Sequence, residues 1–195
     1  MNQLPRKHLV LIGLRGSGKS TLGRALAATL GAPFTDLDER TAARLDAPTA
    51  GEAFRRFGEQ AFRIAEAEVL GKALAETPHV LALGGGTPTA PGAADLIARA
   101  RREGRAFVVF LDPPLDVLAT RLRTETGDRP SLTGRGVVEE IEEIAAIRRP
   151  LYAALADLVV GRDAFETPSE FSQAASLELT VRTIVAGFRG ADSAS

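Results

Sequence analysis

The residues most able to do chemistry form one short run. Gly13-Leu14-Arg15-Gly16-Ser17-Gly18-Lys19-Ser20 fits the pattern G-x-x-x-x-G-K-[ST]. Glycines at these positions let the backbone wrap so that several N–H groups point at a phosphate chain. Lys19, one of only three lysines with Lys7 and Lys72, would reach the β- and γ-phosphates, and Ser20 would offer its hydroxyl to Mg²⁺. The pattern binds a nucleoside triphosphate; it does not say what accepts the phosphoryl group. Gly13 to Thr21 are therefore the candidate ATP-binding residues. By itself the pattern could be a glycine-rich turn, but it lies between an expected strand and an expected helix, as the chemistry requires.

Three further groups could form the acceptor side. Asp36-Leu37-Asp38 follows an expected strand, whose alternation would point both carboxylates to one side. One could hold the metal's water shell while the other takes a proton from a hydroxyl. The plainer reading is a solvated turn in which Asp38 caps the next helix. Arg63 and Glu66 lie three apart in a helical stretch and share a face, which fits either a working pair or an ordinary surface ion pair. Gly84-Gly85-Gly86 ends an apolar run that reads as a strand.

The elements that must position these groups alternate. Short apolar runs at 8–12, near Phe34, at 80–83, 107–111 and 158–160 read as buried strands. Helical spacing covers 19–30, 39–46, 50–76 with a break near Gly58, 92–103, 115–123 and 136–155. A last helix is expected to open at Thr167-Pro168-Ser169-Glu170. Strands alternating with helices predict an α/β fold, a parallel sheet with helices on both faces. One domain over 1–190 is expected, with 191–195 a disordered tail.

Composition narrows the function. The 195 residues carry a formal net charge of -1, which gives no reason to expect nucleic acid or an acidic membrane as partner. Cysteine is absent, which excludes disulfides, thiolate metal sites and Cys nucleophiles. His8 and His79 sit at strand starts and read as structural. Glu139, Glu140, Glu142 and Glu143 read as a solvated helix face. No apolar run reaches the roughly 18 residues of a membrane span, and Leu9 to Ile12 is too short for a signal peptide. A cytosolic protein is expected.

The motifs in order are the Gly-Lys-Ser loop, Asp-x-Asp, Gly58-Glu59-x-x-Phe62-Arg63-x-x-Glu66, Gly84-Gly85-Gly86, Arg129-Pro130-x-Leu132 and Arg148-x-Pro150-Leu151-Tyr152. Together they resemble shikimate kinase from about residue 8 to 160. The resemblance implies a three-layer α/β/α P-loop kinase fold with a central five-stranded parallel sheet. It also implies substrate-binding helices over about 38–76 and a lid over about 124–135. It implies transfer of the ATP γ-phosphoryl group to shikimate using Mg²⁺; a monomer is expected by default. Asp38 would bind substrate hydroxyls and act as base, and Asp36 would support the metal through water. Arg63 and Arg148 would clamp the shikimate carboxylate, for which the planar guanidinium fork is suited. Glu66 would hold Arg63, Tyr152 would help fix Arg148, and Gly84 to Gly86 would bind substrate through backbone. Arg129 would come from the lid to the transferring phosphoryl group, and Arg121 would stack on adenine. The usual Arg-Pro-Leu-Leu of that family stands here as Arg129-Pro130-Ser131-Leu132. Two alternatives remain at this stage: another small-molecule kinase such as gluconate kinase, and a shikimate-kinase-like ligand sensor. Such sensors carry a helix-turn-helix domain in front, for which the chain before the first strand is too short.

Overall fold

The computed structural model describes residues 6–124, 137–161 and 173–193. Its strands are β1 (His8–Gly13), β2 (Phe34–Asp36), β3 (Val80–Ala82), β4 (Ala106–Leu111) and β5 (Leu158–Val160). They form one parallel sheet in the order β2-β3-β1-β4-β5. The helices are α1 (Lys19–Leu30), α2 (Leu37–Arg44), α3 (Ala50–Ala73), α4 (Ala93–Arg102), α5 (Leu115–Thr124), α6 (Val137–Leu155) and α7 (Gln173–Ser193), with a 3₁₀ turn at Thr87–Thr89.

The apolar runs explain the layers. All six residues of β1 are buried, as expected of a central parallel strand covered on both faces. Side chains alternate with a period of two. Val10, Ile12, Leu81, Val108 and Phe110 pack toward α3, α4, α5 and α6, whereas Leu9, Leu11, Val80, Val109 and Leu111 pack toward α1 and α7. The α/β/α expectation is met, with five parallel strands. The chain leaves central β1 and returns on both of its sides, through β3 and β4. Open α/β sheets bind ligands in the crevice such a reversal creates at the strands' carboxyl ends. Gly13, Asp36 and the Gly84–Gly86 loop all lie at that edge.

The break expected near Gly58 is present, whereas the expected tail departs, each for a physical reason. The helix α3 runs through Gly58, but Gly58 itself has φ 79 and ψ 167, so two helical segments meet at a kink there. A glycine at positive φ permits this turn, because no Cβ opposes it. The expected disordered tail at 191–195 overlaps α7, which continues to Ser193. Val181, Ile184, Val185 and Phe188 keep one face of α7 buried, and Lys7 Nζ donates to the Ala191 carbonyl at 2.9 Å. The expected opening of this helix at Thr167 to Glu170 lies outside the described residues. Among the described residues no helix is long and apolar enough to cross a membrane.

Candidate active site

The phosphate loop joins β1 to α1. Gly18, at φ 91, is the N-cap of α1 and provides no side-chain cap. The first-turn N–H groups thus face the loop, where the positive end of the helix dipole favours an anion. Lys19 is 8% exposed, and its Nζ donates to the carbonyls of Gly13 (2.9 Å) and Leu14 (2.8 Å) and to Ser17 Oγ (3.3 Å). These bonds hold the ammonium within the loop. The Leu14 side chain is buried with the α3–α6 core, so only its backbone belongs to the site. Thr21 is exposed. Arg121, from α5, donates through Nη1 to the Gly16 carbonyl at 3.0 Å and so lies against the loop.

Asp36 connects this loop to the next group. Ser20 Oγ donates to Asp36 Oδ2 at 2.5 Å, and Asp36 Oδ1 accepts from the Asp38 N–H at 3.0 Å. The expected geometry of the two aspartates needs correcting. β2 ends at Asp36 and α2 begins at Leu37, so the pair does not lie along one strand; Asp36 is the N-cap and Asp38 stands in the first helical turn. An Asx cap of this kind satisfies one of the orphan donors at a helix start.

The three glycines after β3 each make room for something different. A Cβ on Gly84 would collide with Asp38 Oδ1, Glu66 Oε1 and Thr87 Oγ1. On Gly85 it would come within 2.8 Å of the Arg15 backbone nitrogen, and on Gly86 it would strike the Arg63 guanidinium. The close approach is therefore made by the chain's own groups: two carboxylates, the phosphate-loop backbone and a guanidinium.

Those groups form a connected network. Glu66 is 1% exposed. Its Oε2 accepts from Arg63 Nη1 at 2.7 Å and its Oε1 from Thr87 Oγ1 at 2.5 Å. Burial pushes the Glu66 carboxyl up, while the Arg63 charge and the two hydrogen bonds pull the other way. The surface-pair reading of Arg63 and Glu66 is thereby excluded. The Arg63 guanidinium also lies 5.9 Å from the Phe54 ring and 5.8 Å from the Phe62 ring, and Glu59 stands 3.6 Å from its Nε. From α6, Arg148 Nη1 and Tyr152 Oη both donate to the Gly85 carbonyl. Burial raises the Tyr152 phenol to about 12, which keeps it a neutral donor.

Sequence reasoning missed Thr87 and the pair formed by Arg149 Nε and Asp112 Oδ1 at 2.8 Å. Neither has a local signal: Thr87 lies 21 residues from its partner and Arg149 lies 37 from Asp112. His8 and His79 lie at the starts of β1 and β3, the edge opposite the site, with rings edge to face at 4.8 Å. Glu142 and Glu143 are exposed on α6. The expected lid, with Arg129 and Ser131, lies outside the described residues beyond Thr124. No group of three or more His, Asp or Glu that could hold a metal occurs among the described residues.

Comparison with known proteins points to one family. A family model described as shikimate kinase matches residues 15–179. A shikimate kinase of Nitratidesulfovibrio vulgaris is 43% identical over 162 residues, covering 79% of this chain and 86% of that protein. One of Mycobacterium avium is 42% identical over 154 residues, covering 77% and 81%. The solved shikimate kinase of Acinetobacter baumannii in complex with shikimate superposes with a TM-score of 0.76 at 29% identity, covering 94% of this chain and 92% of that one.

Proposed function

The chain belongs to the shikimate kinase family, and from that premise we propose how its residues divide the work. The reaction is transfer of the ATP γ-phosphoryl group to the 3-hydroxyl of shikimate, giving 3-phosphoshikimate and ADP on the route to chorismate and the aromatic amino acids.

On the donor side, the backbone of Gly13 to Thr21 and the Lys19 ammonium bind the phosphates. The Ser20 hydroxyl and the Asp36 carboxylate, 2.5 Å apart, are hard oxygen donors of the kind Mg²⁺ takes. Ser20 would hold the ion directly and Asp36 through water. When bound, Mg²⁺ neutralises charge on the β- and γ-phosphates. Arg121 takes the adenine side, supported by its position against the loop.

On the acceptor side, Asp38 orients the 3-hydroxyl and takes its proton. The hydroxyl oxygen bonds to the γ-phosphorus as the bond from that phosphorus to the bridging oxygen breaks, and the electron pair leaves on ADP. Arg63 and Arg148 hold the substrate carboxylate, with Glu66 and Tyr152 fixing them, and Gly84 to Gly86 contribute backbone. Arg129, outside the described residues, is assigned to the transferring phosphoryl group on the family pattern. The enzyme is read as a cytosolic monomer with small-molecule partners only; the near-neutral charge supports the reading without nucleic acid or an acidic membrane.

One observation carries this reading. Asp38, the Arg63–Glu66 pair and Arg148 converge on Gly84 to Gly86, and Gly85 rests against Arg15 of the phosphate loop. A hydroxyl acid held there lies beside the phosphate chain. A coupled ADP-release assay with shikimate, quinate and gluconate tests it. Shikimate should be the acceptor used; turnover of gluconate with none of shikimate would overturn the assignment.

A further inference from the structure

Glu66 is the most deeply buried carboxylate of the acceptor network, and its two oxygens are used by two different elements. Oε2 takes the Arg63 guanidinium, from its own helix α3, at 2.7 Å. Oε1 takes the hydroxyl of Thr87, from the 3₁₀ turn after β3, at 2.5 Å. Thr87 is wholly buried. Its own N–H donates to the Gly84 carbonyl at 3.1 Å, and its carbonyl accepts from the Ala90 N–H at 2.9 Å. Backbone bonds therefore fix Thr87 from both sides, and it presents a rigid donor. Glu66 without that donor would keep one partner at 1% exposure, and a buried carboxylate oxygen left without a partner is costly.

We propose that Thr87 is a positioning residue: its hydroxyl fixes the Glu66 carboxylate, and through it the Arg63 guanidinium, in the orientation that receives the carboxylate of the acceptor. The inference rests on the reading of Arg63 as that receptor. The chain of bonds runs from the backbone of one loop, through Thr87 and Glu66, to Arg63, with each link charge-assisted after the first. Phe54 and Phe62 flank the guanidinium and restrict its swing, but a ring sets no rotation about the final bond; the bond to Glu66 Oε2 does.

The network also gives the proposal a signature that packing alone would not produce. The charged groups facing Glu66 are Arg63 and Asp38, with the titratable Tyr152 across from α6; Arg148 lies beside Tyr152 and Glu59 beyond Arg63. Burial and the Asp38 charge favour the protonated acid, while Arg63 and the Thr87 hydroxyl favour the carboxylate. Without the hydroxyl, Glu66 takes a proton at higher pH and releases Arg63 sooner as the solution is acidified.

The test is steady-state kinetics of Thr87→Val, which keeps the side-chain shape, and Thr87→Ser, which keeps the donor. In Thr87→Val the KM for shikimate should rise about tenfold, the order of one charge-assisted hydrogen bond. kcat and the KM for ATP should stay within about twofold on the same reasoning. The acid limb of kcat/KM for shikimate should move to higher pH, and Thr87→Ser should restore both. Should Thr87→Val fold poorly, Thr87→Ala lacks the same hydroxyl and is read the same way. An unchanged shikimate KM and acid limb in the hydroxyl-less variants, while Arg63→Ala loses shikimate affinity, would overturn the proposal and leave the clamp standing. An Arg63→Ala variant with normal shikimate affinity would instead remove the clamp, and the proposal with it.

Discussion

Arg148 and Tyr152, one helical turn apart on α6, donate to the same acceptor, the Gly85 carbonyl, at 3.0 and 2.8 Å. The second bond is made in full burial, since Tyr152 is 0% exposed. A carbonyl oxygen has two lone pairs, and here both are used. Tyr152 thus anchors the glycine loop, and Arg148 is held against the loop it is assigned to work from. Pro150, between them, has no N–H, so this stretch of α6 gives up one intrahelical bond.

Tyr152→Phe removes one of those bonds and nothing else of comparable size. We expect a stability loss of about 1 kcal/mol, read as a lowered denaturation midpoint. The shikimate KM should rise a few-fold while the ATP KM holds. An unchanged midpoint would show that the second donor contributes nothing to the loop.

Gly86→Ala and Gly92→Ala make a matched pair. A Cβ on Gly86 strikes the Arg63 guanidinium, whereas at Gly92, with φ 74, it meets nothing within 4 Å. Gly92→Ala should cost stability of about 1 kcal/mol through backbone strain alone, with normal kinetics. Gly86→Ala should lose acceptor affinity with ATP binding retained, and equal kinetic effects in the two would contradict the collision.

Asp38→Asn keeps the side-chain shape and removes the base. kcat should fall by about 100-fold or more, the usual worth of general base catalysis, while nucleotide binding measured by titration stays intact. Turnover near that of the parent would take Asp38 out of the proton transfer.

The histidine pair at the far edge of the sheet sets an acid limit on stability. Burial, followed by the charges of His79 and Arg105, pushes His8 from 6.5 down to about 4, opposed by a backbone bond from Leu74 and by Glu76. Between those values the unfolded chain binds a proton on His8 that the folded chain does not, so stability rises with pH across that window. The contribution is complete above about pH 6.5 and is lost as pH falls toward 4, amounting to about 2 kcal/mol after solvent screening. Denaturation midpoints of parent and His8→Phe, compared at pH 7.5 and 4.5, should diverge by that amount. Parallel pH profiles would dismiss the effect.

What was legible in the sequence was whatever is written locally. The phosphate loop, the apolar strands β1, β3 and β4 and the break at Gly58 each occupy a short window whose spacing carries a physical meaning. Arg63 and Glu66 were legible as a pair because helical neighbours share a face. Their burial was not, because the wall around them comes from Thr87 and Gly84 at a distance in the chain. For the same reason the glycines were read as openings for substrate, although the nearest occupants are Asp38, Arg15 and Arg63. The role of Asp36 as helix cap depended on where β2 stops, and a boundary is set by tertiary packing as much as by propensity. The end of α7 was misread because a run of small polar residues says nothing of the Lys7 side chain that meets it.

Gly85 touches the phosphate loop with its empty side and holds Arg148 and Tyr152 with its carbonyl. A single thickness of main chain thus separates the phosphate loop from Arg148 and Tyr152. On the proposed roles, a shift of Arg15 on nucleotide entry would press on the residue whose carbonyl sets Arg148, and a shift on the acid side would press back. Linkage makes such an effect reciprocal: each substrate changes the dissociation constant of the other by one common factor. Under such coupling, a glycine with no side chain of its own would make the two halves of the site answer to each other, and either affinity measured alone would describe only half of a cycle.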